Sequence, residues 1–108
     1  MRRVRVAVCG TDELTPDFGL VCPLGADGGE CLVMLHQGHY YAVGSLCPHQ
    51  NSPLNGAQAA NQEVVCRRHG YRFDLKSGDC RTASGYGLPV YQVDVNDDIV
   101  YVSYWEYD

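Results

Sequence analysis

The sequence predicts an all-β fold of antiparallel strands, a sandwich or barrel that carries a loop-rich insertion. The chain contains several short segments rich in valine and tyrosine, residues that favour strands. Two pairs of these segments are separated by two or three turn-forming residues, as the strands of β-hairpins are. No window of ten or more residues shows a good helical period, so helices are not expected.

The first predicted strand is Arg3–Cys9, in which three valines alternate with two arginines. This alternation predicts a half-buried strand at the edge of a sheet. Leu14–Gly19 and Pro23–Gly29 follow and are rich in Pro, Gly and Asp. Both segments are predicted to be loops, because these residues favour turns.

The first predicted hairpin consists of Glu30–His36 and His39–Gly44, joined by Gln37 and Gly38. A two-residue connection that ends in glycine suits the tight turns of antiparallel hairpins. After this hairpin, the stretch from about Ser45 to Asp74 has no sustained period and contains many turn-forming residues. It is predicted to be a loop-rich insertion among the strands.

The second predicted hairpin lies near the end of the chain. Val90–Val95 and Ile99–Trp105 flank Asn96–Asp98, which is predicted to be the turn of this hairpin. A chain of 108 residues has room for one hydrophobic core, so residues 1–108 are predicted to form a single domain.

The charge pattern excludes some function classes. The net charge is −5, and a chain that is acidic overall and has no basic stripe is a poor candidate for binding nucleic acid. No segment resembles a signal peptide or approaches the ~20 apolar residues of a membrane span, so a cytoplasmic protein without membrane contact is expected. The basic residues fall in two groups: Arg2, Arg3 and Arg5, then Arg67, Arg68, Arg72, Lys76 and Arg81.

Two cysteine–histidine pairs predict a metal centre. Cys47 and His49 form C-x-H, Cys66 and His69 form C-x-x-H, and sixteen residues separate His49 from Cys66. A lone histidine is more often hydrogen-bonded or exposed than a ligand, but two such pairs beside turn-forming residues suit one shared site. Structural zinc sites use the same residue types, although they usually place both cysteines on one turn. Here each turn carries one cysteine and one histidine. This arrangement favours a centre with two unlike metal positions, one bound by both cysteines and the other by both histidines.

The other four cysteines are predicted to be reduced. Six cysteines would allow three disulfides, but the chain is long enough for a core and shows no export signal. Small buried apolar residues are therefore the expected role of the cysteines outside the two pairs, because an unpaired cysteine is among the most buried residue types. These are Cys9, Cys22, Cys31 and Cys80.

Four motifs of the chain form a specific combination: CPH, CRRHGYRFDLKSGDC, LPVYQVDV and DIVYVSYW. By these motifs the chain resembles Rieske-type [2Fe–2S] proteins over essentially its whole length. It is most similar to the small ferredoxins and ferredoxin-like domains of ring-hydroxylating oxygenases. The resemblance implies that Cys47 and Cys66 bind one iron and that His49 and His69 bind the other, within the inserted segment.

The sequence departs from the respiratory-chain branch of this family. That branch has an extra cysteine in each ligand loop, and the two form a disulfide; Ser52 and Arg68 stand at these positions. The same branch places serine and tyrosine hydroxyls against its cluster, where this chain has Tyr71 and Phe73. These two differences argue against a quinol-oxidising membrane subunit. Family members also often cover the cluster with a proline loop, but Thr82–Gly87 contains no proline, so the resemblance does not assign it that role.

The resemblance implies an electron carrier rather than an enzyme. With neutral histidine ligands the oxidised cluster has no net charge, so it accepts an electron more readily than a cluster with four thiolates. The cluster has no open coordination position for a substrate. We expect this chain to be the electron-transfer component of a multicomponent system, receiving electrons from a flavin-dependent or other reductase and passing them to a terminal oxygenase.

Two alternatives stay open at this point. The chain is also compatible with the Rieske-like small subunit of a nitrite reductase complex. Some of those proteins lack the four ligands, whereas this chain has all four, which makes this alternative less favoured. A zinc-stabilised binding module without a redox role is the other alternative, because two cysteines and two histidines are also a structural zinc set.

Overall fold

The computed structural model describes residues 1–25, 29–48, 51–68 and 70–106. It confirms the predicted all-β antiparallel fold. In this described part of the chain, no helix is long and apolar enough to cross a membrane. One 3₁₀ turn covers Thr11–Glu13, and the strands are β1 Arg2–Gly10, β2 Leu20–Pro23, β3 Glu30–His36, β4 His39–Gly44, β5 Leu46–Cys47, β6 Ser52–Pro53, β7 Ala59–Ala60, β8 Glu63–Val65, β9 Arg72–Asp74, β10 Val90–Asn96 and β11 Ile99–Glu106.

A six-stranded sheet in the order β1-β11-β10-β4-β3-β2 contains both predicted hairpins. Gln37 and Gly38 have φ values of 52° and 80°, and Asp97 and Asp98 have 52° and 62°. Positive φ at both central residues matches the tight turns that follow the twist of a hairpin. Asn96, which was predicted to lie in the second turn, ends β10 instead and pairs with Ile99.

The predicted edge strand is β1, which pairs only with β11 in this sheet. Its arginines meet the acids of the C-terminal hairpin. Arg2 pairs with Glu106 at 2.9 Å, and both guanidinium arms of Arg5 bind the carboxylate of Asp94. Arg5 also lies over the ring of Tyr101, 3.7 Å from its centroid. The first basic group is therefore largely neutralised within the sheet.

Strand β3 is buried on both faces, which explains its almost continuous apolar sequence. Leu32 and Met34 face one buried cluster, whereas Cys31 and Val33 face another. We call the first the site core: Leu32, Met34, Val43, Cys47, Leu54, Ala57, Ala59, Val64, Cys66, Phe73, Leu75 and Leu88. We call the second the base core: Cys9, Leu14, Cys22, Leu24, Cys31, Val33, Ala42, Val100 and Val102.

The inserted segment contains more strand than its sequence predicts. Strands β5 and β6 form one small sheet, and β7, β8 and β9 form another. Each strand is only two or three residues long, too short to show a period of two in the sequence. Strand β2 was missed for a similar reason: it is four residues long and ends at Pro23, the start of a predicted loop.

Candidate metal centre

The first ligand loop joins β5 to β6 and contains Cys47 at its start. Cys47 lies directly opposite Ser52 in this two-stranded sheet. Asn51 has a φ of 53°, which turns the chain into β6. His49, a predicted ligand, and Gln50 lie outside the described residues.

The second ligand loop is the tip of the β8–β9 hairpin, in which Val65 pairs with Arg72. The Cys66 N–H donates to the Tyr71 carbonyl at 2.7 Å, and the Gly70 N–H donates to the Cys66 carbonyl at 2.8 Å. Gly70 has a φ of 72°, a conformation that glycine adopts without strain. The predicted ligand His69 lies outside the part of the chain that the structure describes.

The structure brings Cys47 and Cys66 into the same buried cluster, the site core. The exposed fraction is 0% for Cys47 and 1% for Cys66, so water has almost no access to either residue. Neither sulfur is in a disulfide. Two cysteines on separate turns thus converge on one apolar region, which suits thiolate ligands of a buried metal centre.

Backbone hydrogen bonds hold the first ligand loop to the rest of the molecule. The Leu54 N–H donates to the Ser45 carbonyl at 2.9 Å and closes the loop at its base. Gly19 donates to the Ala57 carbonyl and accepts from the Gly56 N–H, both at 2.9 Å. The predicted loop around Gly19 therefore anchors the segment that follows the first ligand pair.

A buried histidine anchors the second small sheet. The Nδ1–H of His36 donates to Asp17 at 2.7 Å, and its Nε2 accepts the Gln62 N–H at 3.0 Å. Because Nε2 accepts a backbone N–H, the ring hydrogen is assigned to Nδ1. Gln62 lies in the turn between β7 and β8, so His36 connects the large sheet to the hairpin system that carries Cys66. Nothing in the sequence around His36 indicates this contact.

The segment Thr82–Gly87 lies against the second ligand loop. The ring of Tyr86 packs on the ring of Tyr71, with centroids 5.8 Å apart and a tilt of 56°. Tyr71 in turn packs against the site core. The Thr82 hydroxyl also accepts the Arg72 N–H at 3.2 Å. An aromatic contact thus places this segment, which contains no proline, beside the loop that carries Cys66.

The arginines of the second basic group differ in their contacts, and Arg72 and Arg81 lie close to carboxylates. Arg81 binds Asp74 at 2.7 Å and lies 3.7 Å from Glu63, whose other oxygen lies 3.7 Å from Arg72. Hydrogen bonds from Arg81, then from the Ser77 and Lys76 backbone, lower the pKa of Asp74 to about 2. Arg67 and Arg68, next to Cys66, are exposed.

Arg67 and Arg68 differ from the other arginines of their group. Neither forms an ion pair with any residue in the described ranges. A Cβ added at Gly56 would lie 3.7 Å from the Nη1 atom of Arg67, so this side chain reaches towards the segment after the first ligand loop. The two positive charges therefore lie in the second ligand loop beside Cys66, and that of Arg67 lies near Gly56.

The other cysteines follow the prediction in three of four cases. Cys9, Cys22 and Cys31 are buried in the base core, and burial raises the pKa of Cys22 and of Cys31 to about 12. Cys80 is only partly buried. Its burial is outweighed by hydrogen bonds from the Thr82 hydroxyl and backbone and from the Ala83 backbone, which together lower the pKa of the Cys80 thiol. None of the six cysteines, all within the described residues, forms a disulfide.

The two predicted ligands that the structure describes, Cys47 and Cys66, fit the predicted [2Fe–2S] group. Two buried sulfurs lie in one core, and the nearby Ser52 hydroxyl is buried with no hydrogen-bond partner among the described residues. Among residues 1–25, 29–48, 51–68 and 70–106, no group of three or more potential ligands could hold a metal ion. The predicted set has four members only when His49 and His69 are included, and these two lie outside those ranges.

Comparisons with known proteins identify the family. The family model of the Rieske [2Fe-2S] domain matches residues 4–92. Apoptosis-inducing factor 3 of Homo sapiens is 30% identical over 100 residues, which are 92% of this chain but only 16% of that protein. The chain therefore spans a small part of that relative's length.

Two solved structures share the fold. The ferredoxin of carbazole 1,9a-dioxygenase from Nocardioides aromaticivorans IC177 has a TM-score of 0.78 and 27% identity, covering 92% of this chain and 96% of its own. A Mycobacterium tuberculosis protein assigned as an NADH-dependent nitrite reductase small subunit has a TM-score of 0.89 and 22% identity, covering 99% and 100%.

The family match and the ferredoxin relative support an electron carrier. The cofactor that the family implies is one [2Fe–2S] cluster with two cysteine and two histidine ligands. Because the family model covers most of the sequence and includes both cysteine–histidine pairs, the chain belongs to the Rieske [2Fe–2S] domain family.

Proposed function

We propose that Cys47 and Cys66 bind one iron of a [2Fe–2S] cluster, that His49 and His69 bind the other, and that the chain passes single electrons from a reductase, flavin-dependent or of another kind, to a terminal oxygenase. The observation that carries this proposal is the burial of Cys47 and Cys66 in one core at the ends of two separate turns. When bound, the cluster supplies a site that gains and loses one electron.

The chain's own residues would control access to that site. Phe73, Leu54 and Leu88 line the site core around both cysteines and keep water away from the sulfurs. The Tyr71–Tyr86 contact packs beside the second loop. A dry, well-packed surrounding limits the rearrangement of solvent when the charge of the cluster changes.

The tip of the two ligand loops is the proposed docking surface, because electron transfer requires a short distance between redox centres. Arg67 and Arg68 give the tip positive charge, and Leu46 and Tyr86 add exposed apolar area, with exposed fractions of 46% and 38%. This combination suits a partner surface that is acidic at its rim and apolar at its centre.

The ferredoxin role is supported by the carbazole dioxygenase ferredoxin, which is the more similar of the two solved structures in sequence. A second candidate is the small subunit of a nitrite reductase complex, which the structural likeness to the Mycobacterium tuberculosis protein favours. Purification of the native complex would separate them: a terminal oxygenase or its reductase supports the first role, and a nitrite reductase large subunit supports the second.

Metal analysis tests the cluster assignment directly. Protein purified from native cells should be red-brown and contain two irons and two inorganic sulfides per chain. Cys47→Ser, Cys66→Ser and His69→Ala should each reduce iron content and alter the EPR spectrum of the reduced protein, because each removes a proposed ligand. Cys80→Ser is the matched control and should retain the iron content, the sulfide content and the EPR spectrum of the wild type. Stoichiometric zinc without sulfide would reject the cluster and favour the zinc alternative.

A further inference from the structure

Ser52 carries a buried hydroxyl that the packing around it does not explain. The exposed fraction of Ser52 is 4%, and its Oγ has no hydrogen-bond partner within the described part of the chain. A buried hydroxyl that loses water and gains no partner destabilises the fold. An alanine would fill almost the same volume without that penalty, so the hydroxyl requires an acceptor.

The position of Ser52 in the small sheet indicates where that acceptor lies. Ser52 is the direct partner of Cys47 across β5 and β6. Directly opposed residues of an antiparallel pair place their side chains on the same face, with Cβ atoms about 4.5–5.5 Å apart. Both residues are buried, so the Ser52 hydroxyl and the Cys47 sulfur lie on the same, inward face of the first ligand loop.

We propose that the Ser52 hydroxyl donates a hydrogen bond to an inorganic sulfide of the metal centre, next to Cys47. The inference rests on the proposed cluster site. A sulfide is a charged acceptor, which is the kind of partner that a buried hydroxyl needs. Ser52 is thus a positioning residue that tunes the cluster, and it is not one of the ligands.

The consequence of this hydrogen bond is a higher reduction potential. The added electron makes the cluster more negative, and a hydrogen bond to its sulfur stabilises the reduced form more than the oxidised form.

The test is the reduction potential of Ser52→Ala, Ser52→Thr and wild type, measured by optical redox titration on protein with full iron and sulfide content. Ser52→Ala should shift the potential to a more negative value, with the equilibrium constant for reduction falling up to tenfold, which is 59 mV for one electron. Ser52→Thr keeps the hydroxyl and should retain most of the wild-type potential.

Two further comparisons make the result specific. Ser103→Ala removes another buried hydroxyl, which accepts a hydrogen bond from Arg3 at 3.4 Å in the large sheet, and it should leave the potential unchanged. If Ser52→Ala binds too little cluster to titrate, Ser52→Thr and Ser52→Val form the comparison, since they have the same shape and differ in the hydroxyl. The threonine variant should then have the higher potential.

The outcomes separate this inference from the proposed function. Wild-type protein that binds no iron and sulfide rejects the cluster site itself. A fully loaded Ser52→Ala protein with the wild-type potential, or Thr and Val variants of equal potential, rejects the hydrogen bond from Ser52 and leaves the ligand assignment intact.

Discussion

His36 is one of the residues that connect the large sheet to the small sheet of β7, β8 and β9. Its ring is almost fully buried and uses both nitrogens, one towards Asp17 and one towards the Gln62 N–H. Asn61 and Gln62 form the turn between β7 and β8 with φ values of 53° and 64°. The histidine therefore holds a strained two-residue turn in place from outside its own hairpin.

We expect His36→Ala to lower the free energy of unfolding by about 2–3 kcal/mol, because the change leaves the Gln62 N–H unsatisfied and opens a cavity. Chemical unfolding followed by circular dichroism measures this effect. His39→Ala is the matched control from the same hairpin: its side chain is exposed, and its effect should stay within about 0.5 kcal/mol. Equal stabilities of the two variants would show that the His36 contacts contribute little.

The turn after β9 is organised by one carboxylate. Asp74 accepts the Lys76 and Ser77 N–H groups, each at 2.8 Å, and binds Arg81. Gly78 completes the turn with a φ of 82°, and a Cβ there would collide with the Leu88 carbonyl oxygen. Glycine is therefore required at position 78, because only glycine fits both this backbone conformation and the close approach of the Leu88 carbonyl.

Stability should depend on pH through Asp74. The hydrogen bonds from Arg81 and the backbone hold the pKa of Asp74 at about 2, below its ordinary 3.8. The carboxylate therefore contributes stability fully above about pH 4, and the contribution is lost as the pH falls towards 2. Asp74→Asn should cost about 1–2 kcal/mol at pH 7, and its difference from wild type should shrink below about pH 4.

Urea unfolding of wild type and Asp74→Asn at several pH values tests this. Loss of the cluster in acid affects both proteins, so the comparison uses their difference. Asp79→Asn, an exposed carboxylate on the same turn, should show a much smaller difference at pH 7. A difference between wild type and Asp74→Asn that stays constant from pH 7 to pH 2 would contradict the assignment.

Among the elements, the long strands were predictable and the short ones were not. Glu30–His36 and His39–Gly44 match β3 and β4 residue for residue, because two runs of six or seven residues rich in strand formers, joined by a Gln-Gly turn, give a clear pattern. Strands β5 to β9 are defined by contacts with the site core and the Gly19 segment, which lie far away in the sequence. Tertiary contacts decide such strands, so local pattern could not reveal them.

The candidate site, like the strands, was predictable from the sequence only in part. The spacing of cysteine and histidine indicated Cys47 and Cys66, and the structure buries both in one core. The residues that support the site, such as His36 and Ser52, carry no local signal, because their roles depend on what packs against them. His49 and His69 remain predicted ligands.

Over the whole molecule, charge is distributed unevenly. The net charge is −5, and on the large sheet Arg2 and Arg5 of β1 are paired with Glu106 and Asp94. Arg72 and Arg81 lie against Glu63 and Asp74. Arg67 and Arg68 remain as exposed positive charges beside Cys66. A positive tip on an otherwise acidic molecule would orient it before contact with an acidic partner.

We therefore expect Arg68→Glu to slow electron transfer with the partner protein while it leaves the visible spectrum and the iron content unchanged. The effect should be largest at low ionic strength, because exposed charges more than about 10 Å apart are largely screened at 0.1 M salt. Stopped-flow measurement of cluster reduction by the reductase, and of oxidation by the acceptor, at several salt concentrations gives the rates.

Lys76→Glu is the matched control, because it makes the same charge change on an exposed side chain in the turn after β9, away from the two ligand loops. If general charge attraction drives association, both variants should slow transfer equally. If the tip is the docking surface, Arg68→Glu should have much the larger effect, and the gap between the variants should close as salt is added. A fully loaded Arg68→Glu protein with the wild-type rate at low salt would remove Arg68 from the docking surface.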